Sequence, residues 1–166
     1  MPRIESPQKR KDDKMTLTPK ENSLLCDLKS QEQLCIEKYN KYSSEACDPE
    51  LKKLFTSIKT TEESHLSTVN RILGGEEVKM NAAPPTAESE KLSCPPSSCP
   101  ADKKTQDAFL CKDALSMEKH VSSVYDTAIF EFTSPTLRDT LAHIQKEEQN
   151  HGEKLYEYMK INGMYS

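Results

Sequence analysis

The sequence lacks tryptophan, has no Cys-x-x-Cys pair, and contains no apolar run approaching the roughly 20 residues of a membrane-spanning helix. We therefore expect no membrane partner. The opening MPRIESPQKRKDDKM is charged and has no apolar core of the kind that a secretory signal peptide requires. These absences lead us to expect synthesis in the cytosol.

The charge balance also excludes a function class. The formal net charge is -4 and the pI is about 5.6, so the chain as a whole does not attract nucleic acid, and we expect no such partner. Hydrophobic residues make up 34% and charged residues 30%, a mixture that favours amphipathic helices. A length of 166 residues suits one compact domain with irregular ends.

The cysteines need separate treatment, because six are many for a cytosolic protein of this size. Without a Cys-x-x-Cys pair, neither a zinc ribbon nor a thioredoxin-type motif is supported. Cytosolic thiols are expected to stay reduced. Cys94 and Cys99 flank a Pro-Pro-Ser-Ser segment, and two interpretations remain open for them: a local disulfide or cross-links to neighbouring chains.

Capping signals divide the chain into four helices. Thr18, Pro19 and Glu21 form a capping box with proline at the first helical position, and the segments Asp48-Pro49-Glu50 and Ser134-Pro135-Thr136 give two further starts. The predicted helices cover 19–46, 49–73, 103–132 and 135–161. They form two hairpins, 18–74 and 103–161, within one domain over 18–161. The remaining segments are a disordered tail over 1–17, a proline-rich linker over 75–102, and a C-terminal tail over 162–166.

The two hairpins repeat each other. A shift of 86 positions carries residue 48 onto residue 134 and places DPELKKLFTSIKTTEESH (48–65) on SPTLRDTLAHIQKEEQNH (134–151). The same shift relates the first helices of the hairpins without gaps. Two antiparallel hairpins joined by a long linker predict an all-α, ferritin-like four-helix bundle with one long crossover between the second and third helices.

Six polar residues interrupt apolar seams that otherwise step by three and four along the helices. Each hairpin has a glutamate on its first helix and Glu-x-x-His on its second. These residues are Glu32, Glu62, His65, Glu118, Glu148 and His151. Counting from each turn at 1.5 Å per residue places all six in one layer of the bundle.

Four carboxylates in an apolar interior require compensation of their charge. Two divalent ions, with bridging carboxylates and one histidine each, provide it, and this is the ligand pattern of ferritin-like di-iron and di-manganese proteins. The residues do not distinguish iron from manganese, and a metal-free relic is the alternative. We expect Cys35, Tyr39 and Tyr125 to be core residues rather than ligands, and His143 to lie on the surface.

Two long phrases carry a family resemblance. SMEKHVSSVYDTAIFEFTSPTLRDTLAHIQKEEQNHGEKLYEYMKINGMYS (116–166) and CDPELKKLFTSIKTTEESHLSTVNRIL (47–73) resemble the Coat F family of bacterial spore coat proteins, clostridial members included, within the ferritin-like superfamily. The six residues match the family's ligand-like positions. The spacing of 30 from Glu32 to Glu62 is shorter than we expect in ferritins. The resemblance implies a location in the spore coat and other coat proteins as partners, joined in part through disulfides.

Two hypotheses about function follow from the resemblance and the six residues. In the first, the chain is a spore coat protein with a dinuclear metal core that is structural or redox-protective. In the second, it is a di-iron or di-manganese oxidoreductase, catalase- or peroxidase-like with peroxide or ferroxidase-like with ferrous iron. No catalytic residue is assigned, and a homo-oligomer remains open.

Overall fold

The helices begin at the predicted caps in a computed structural model that describes residues 14–80 and 90–165. Thr18 forms the capping box with Glu21, and Asp48 and Ser134 accept hydrogen bonds from Glu50 N and Leu137 N. Over the described residues the chain forms four helices and no strand. They are α1 Pro19–Glu45, α2 Pro49–Leu73, α3 Ala101–Glu131 and α4 Pro135–Ile161. The predicted all-α four-helix bundle is confirmed, and only α3 begins earlier than predicted, directly after Pro100, because proline restrains the residue before it and not the one after.

The turn of each hairpin is held by an acidic residue from the other hairpin. Asp107 on α3 is fully buried and accepts hydrogen bonds from Cys47 N at 2.8 Å and Asp48 N at 3.0 Å. Glu21 on α1 accepts from Thr133 N at 2.8 Å in the turn between α3 and α4. The two contacts are related by the 86-residue shift, and they fix the level of one hairpin against the other.

The described parts of the crossover lie against α4. The Val78 carbonyl accepts a hydrogen bond from Thr140 Oγ1, Leu92 N donates to Glu157 Oε2, and Ser97 N donates to Asn162 Oδ1. The crossover therefore joins opposite ends of the bundle. Of the tail predicted over 1–17, residues 1–13 lie outside the described residues. Within the described part, Met15 N donates a hydrogen bond to the Gly75 carbonyl beside the end of α2.

One disulfide closes the end of the bundle where the crossover enters α3. Cys99 pairs with Cys47 in the α1–α2 turn, with a Cα–Cα separation of 6.4 Å, rather than with Cys94. Sequence proximity favours a pair between Cys94 and Cys99, but the start of α3 lies beside the α1–α2 turn and brings Cys47 to Cys99. Cys26 is exposed and Cys94 partly buried, and both thiols are free.

Replacing Asp107 by alanine is expected to lower the free energy of unfolding by about 2–4 kcal/mol, because two buried N–H donors lose their acceptor. Urea unfolding of the disulfide-intact protein measures this loss. Asp107→Asn keeps one acceptor oxygen and should lose less, and Glu21→Ala is the matched variant at the other turn. Equal stability of Asp107→Ala and the parent would show that the contact between hairpins contributes nothing.

Candidate metal centre

All six predicted side chains meet in the middle of the bundle. Each is at most 5% exposed, although every one is polar or charged. Their ligand atoms form two overlapping groups, and within each group these atoms lie within 4.8 Å of one another. One group is Glu32, Glu62, His65 and Glu148; the other is Glu62, Glu118, Glu148 and His151. Glu62 and Glu148 belong to both groups, so they occupy the centre of the layer.

Several buried polar atoms in this layer have no hydrogen-bond partner. They are Glu32 Oε2, Glu62 Oε1, Glu118 Oε2, both carboxylate oxygens of Glu148, and His151 Nδ1. His151 Nδ1 lies 3.0 Å from Glu62 Oε1, yet the contact lacks hydrogen-bond geometry. Unpartnered buried carboxylate oxygens are costly, and a cation among them would remove that cost. Carboxylate and imidazole together form a donor set that suits iron and manganese, so the residues present fit such ions.

His65 is oriented from outside the layer by Glu147. Its Nδ1 lies 3.1 Å from Glu148 Oε1 and 3.3 Å from Glu62 Oε2, while its Nε2 lies 2.8 Å from Glu147 Oε2. Metal-binding histidines commonly use one ring nitrogen for the ion and give the other to a carboxylate. Burial acts to raise the pKa of Glu147, but the contact with His65 outweighs it and holds the pKa below its usual value.

The sequence did not reveal Glu147, since it lies one position off the apolar seam and its counterpart in the first hairpin is Thr61. The available signal was the double glutamate in KEEQNH. The expectation that His143 lies on the surface is wrong. Its side chain is 9% exposed, and its Nε2 lies 3.7 Å from Glu147 Oε1. A helix position beside the seam is thus largely shielded from solvent here.

Two buried tyrosines bind glutamates of the layer across the hairpins. The Tyr39 hydroxyl donates to Glu118, and the Tyr125 hydroxyl donates to Glu32. Both tyrosines are fully buried, as predicted for core residues, and Cys35 is also buried, with 1% exposed. Burial and the adjacent carboxylates raise the pKa of both phenols well above the ordinary value. Each hydroxyl therefore stays protonated and positions one carboxylate.

Burial and close contacts raise the pKa of two of the four carboxyl groups and lower the pKa of the other two. Burial and Glu148 raise the pKa of Glu32 to about 10, and burial raises that of Glu118 well above its usual range. Burial also acts on Glu62 and Glu148, but the two histidines outweigh it and lower both pKa values.

Both histidines of the layer are held in their charged form. Burial acts to lower the pKa of His65, but Glu147, Glu148 and Glu62 raise it well above the usual value. The contacts of His151 with Glu118, Glu148 and Glu62 likewise outweigh burial. Without metal, these shifts favour the charged form of both histidines and of Glu62 and Glu148, and the protonated form of Glu32 and Glu118.

Fold and site together define a four-helix bundle protein with a buried carboxylate–histidine layer. The sequence model of the Coat F domain matches residues 106–166. The uncharacterized protein YusN of Bacillus subtilis (strain 168) is 30% identical over 79 residues, which is 48% of this chain and 72% of YusN. No solved structure matches the chain. The chain belongs to the Coat F family, as its sequence predicted, and the family indicates a protein of the spore coat.

The domain match covers one half of the layer. It includes α4 and most of α3, and with them Glu118, Glu148 and His151. The other three residues of the layer, on α1 and α2, precede the matched region. Within the described ranges, no helix combines the length and apolarity that a bilayer crossing requires.

Proposed function

We propose that this Coat F protein is a spore coat component that binds two divalent ions, iron or manganese, in the core of its bundle. The observation that carries the proposal is the set of unpartnered oxygens on Glu62 and Glu148, which both ligand groups share. Histidine nitrogens lie 3.0, 3.1 and 3.5 Å from these oxygens, but none of these contacts satisfies the oxygen with a hydrogen bond. Two cations supply the missing partners and leave the layer neutral when all four carboxyls are ionised.

Each residue then has a distinct role. Glu62 and Glu148 would contribute to holding both ions, Glu32 and His65 would help to hold one, and Glu118 and His151 the other. Tyr39 and Tyr125 would hold Glu118 and Glu32 in position through their hydroxyls, and Glu147 would orient His65. Bound iron or manganese supplies Lewis acidity and one-electron redox chemistry.

Purified protein is expected to carry two ions per chain when neither chelator nor an affinity metal is used. Elemental analysis with protein quantitation measures the ratio, and incubation with a chelator should lower the melting temperature because the ions bind the folded state. A double Glu62→Gln, Glu148→Gln variant is the control. Protein that stays below one ion per chain after incubation with ferrous or manganous salt would contradict the proposal.

An oxidoreductase is the second candidate function, and one observation favours it. Glu118 and Glu148 of the layer also line a groove on the surface between α3 and α4. An ion with a purely structural role needs no such opening, whereas an enzyme that acts on peroxide or ferrous iron does. In a spore coat, such chemistry would protect neighbouring proteins from oxidants.

The proposed coat role also includes partners. Other coat proteins are the partners that the family indicates. The exposed thiol of Cys26 and the partly buried thiol of Cys94 are free in the described chain, and they are the groups that we propose for disulfides to those partners.

A further inference from the structure

The groove between α3 and α4 leads to the metal layer. It has a volume of about 370 Å³. Its lining is Leu115, Glu118, Lys119, Ser122, Glu148, Gln149 and Gly152. Glu118 is 2% and Glu148 1% exposed, and the oxygens Glu118 Oε2 and Glu148 Oε1 and Oε2 have no hydrogen-bond partner. The groove therefore reaches two residues of the layer, and their buried oxygens without partners lie behind its floor.

Two small residues keep this side of the bundle open. Gly152 has no side chain, and a Cβ placed there would lie 3.5 Å from Leu115 Cδ1. Ser122 stands on α3 beside it. On the first hairpin the 86-residue shift puts Leu66 in place of Gly152 and Ile36 in place of Ser122.

The corresponding face of the first hairpin differs as these residues predict. A depression there is lined by Glu63, Leu66, Ser67, Asn70 and Arg71, and none of these residues belongs to the metal layer. Leu66, the counterpart of Gly152, is partly exposed and lines this depression. This depression therefore reaches no residue of the layer, whereas the α3–α4 groove reaches Glu118 and Glu148.

The lining of the groove selects among small molecules. Leu115, with no side chain beside it at Gly152, gives the groove its apolar walls, and the exposed Lys119 places a positive charge at its rim. The counterpart of Lys119 in the first hairpin is the neutral Gln33. A positive rim repels ferrous ions and attracts anions, and apolar walls admit small uncharged molecules.

We propose that the α3–α4 groove admits a small uncharged or anionic oxidant, of the class of hydrogen peroxide, to the metal layer, and that Gly152 keeps this route open. The inference rests on the proposed metal binding and adds the class of molecule that reaches the site. It favours peroxide over ferrous iron as the substrate.

Azide binding to protein that is loaded with ferrous salt and then oxidised by air to the ferric state tests the route without relying on turnover. The association rate is followed by stopped-flow absorption in the azide-to-iron charge-transfer band. Gly152→Leu is expected to slow association by about 10-fold or more, with unchanged iron content. The matched variant on the first hairpin, Leu66→Ala, should stay within about twofold of the parent. Peroxide consumption should fall in parallel with azide entry.

Two further variants keep the test decisive if Gly152→Leu does not fold. In Gly152→Ala the new Cβ makes an ordinary contact with Leu115, and alanine is the better helix former, so slower azide entry should accompany a higher melting temperature. Lys119→Glu should slow azide entry by roughly 3- to 10-fold at low salt, and less at high salt.

Unchanged azide rates in Gly152→Ala and Lys119→Glu, with two irons retained, would overturn the route while leaving metal binding intact. Faster azide entry in Leu66→Ala would place the route on the first hairpin and would equally overturn the proposal. A parent protein that takes up no iron would instead refute the proposed function itself, and elemental analysis before the azide experiment separates these outcomes.

Discussion

Glu148→Gln should lose both metal ions, whereas Glu118→Gln and Glu32→Gln should each lose one. The difference follows from the two ligand groups, since Glu148 belongs to both, Glu118 only to the group with His151, and Glu32 only to the group with His65. Glutamine preserves the volume of the side chain but removes the ionisable oxygen. We expect each lost site to bind its metal ion more than roughly 100-fold more weakly. Mutating a residue that only hydrogen-bonds to a ligand typically weakens metal binding by about 10- to 100-fold.

Titration with manganous salt, followed by calorimetry and elemental analysis, gives the number of ions for each variant. Glu147→Gln is the matched control, because Glu147 contacts His65 Nε2 and no other residue of the layer in the described structure. It should weaken one ion by about 10- to 100-fold and still reach two ions at saturation. Two ions retained by Glu148→Gln would show that Glu148 does not serve both ions. Loss of both ions in Glu118→Gln would show that Glu118 is not confined to one of the two sites.

The features that the sequence predicts correctly are those determined by short stretches of the chain. The Thr18 capping box, the prolines at first helical positions and the Asn162-Gly163 stop are each determined by a few consecutive residues, and the helix bounds agree with them closely. The six residues of the layer were found because the seam gives each helix its buried face, and the distance from each turn gives the level. Helical period and rise are properties of a single helix, so the buried face and the level of a residue can be predicted without knowing which helices lie beside it.

The parts that were missed depend on how the two hairpins face each other. Tyr39 lies two turns from Glu32 on its own helix, yet its hydroxyl binds Glu118 on the other hairpin. Glu147, with His143 behind it, reaches His65 across the α2–α4 interface. Helical periodicity says which side of a helix is buried, but it does not say which residue of another hairpin lies opposite.

The Cys47–Cys99 disulfide was also not predicted, because the path of the crossover, and not the local spacing, brings these cysteines together.

The groove at Gly152 could have been predicted from the sequence. The 86-residue shift pairs Leu66 with Gly152 and Ile36 with Ser122, one turn or less from the paired candidate ligands of the two hairpins. Such an exchange indicates a difference in packing at the same level of the bundle.

Metal-free protein is expected to lose stability as the pH rises from about 5 to 9. The pKa of Glu32 is raised to about 10 and that of Glu118 is raised well above normal, chiefly by burial, so both stay protonated when folded but ionise when unfolded. Groups with raised pKa stabilise the fold fully below the unfolded pKa and lose that contribution as pH rises, by up to about 1.4 kcal/mol per pH unit for each group. His65 and His151 add the same trend above their unfolded pKa.

Metal-loaded protein should not show this loss, because the gain in metal affinity offsets it. Binding both ions requires the loss of a proton from each of Glu32, Glu118, His65 and His151, so the affinity rises with pH, and the logarithm of the combined binding constant gains up to about four per pH unit. Melting temperatures measured between about pH 5.5 and 8.5, with and without manganous salt, should therefore diverge as the pH rises.

The control for this divergence is a Glu32→Gln, Glu118→Gln variant, in which two of the four proton-releasing groups are neutral at every pH. Its metal-free form should lose less stability with rising pH than the parent, because only His65 and His151 still contribute above pH 5. Glu62 and Glu148 do not affect this window, since their lowered pKa values confine their loss of stabilisation to acidic pH. Parallel curves for the metal-free and metal-loaded parent would mean that binding displaces no protons, and the layer would then not be the metal site.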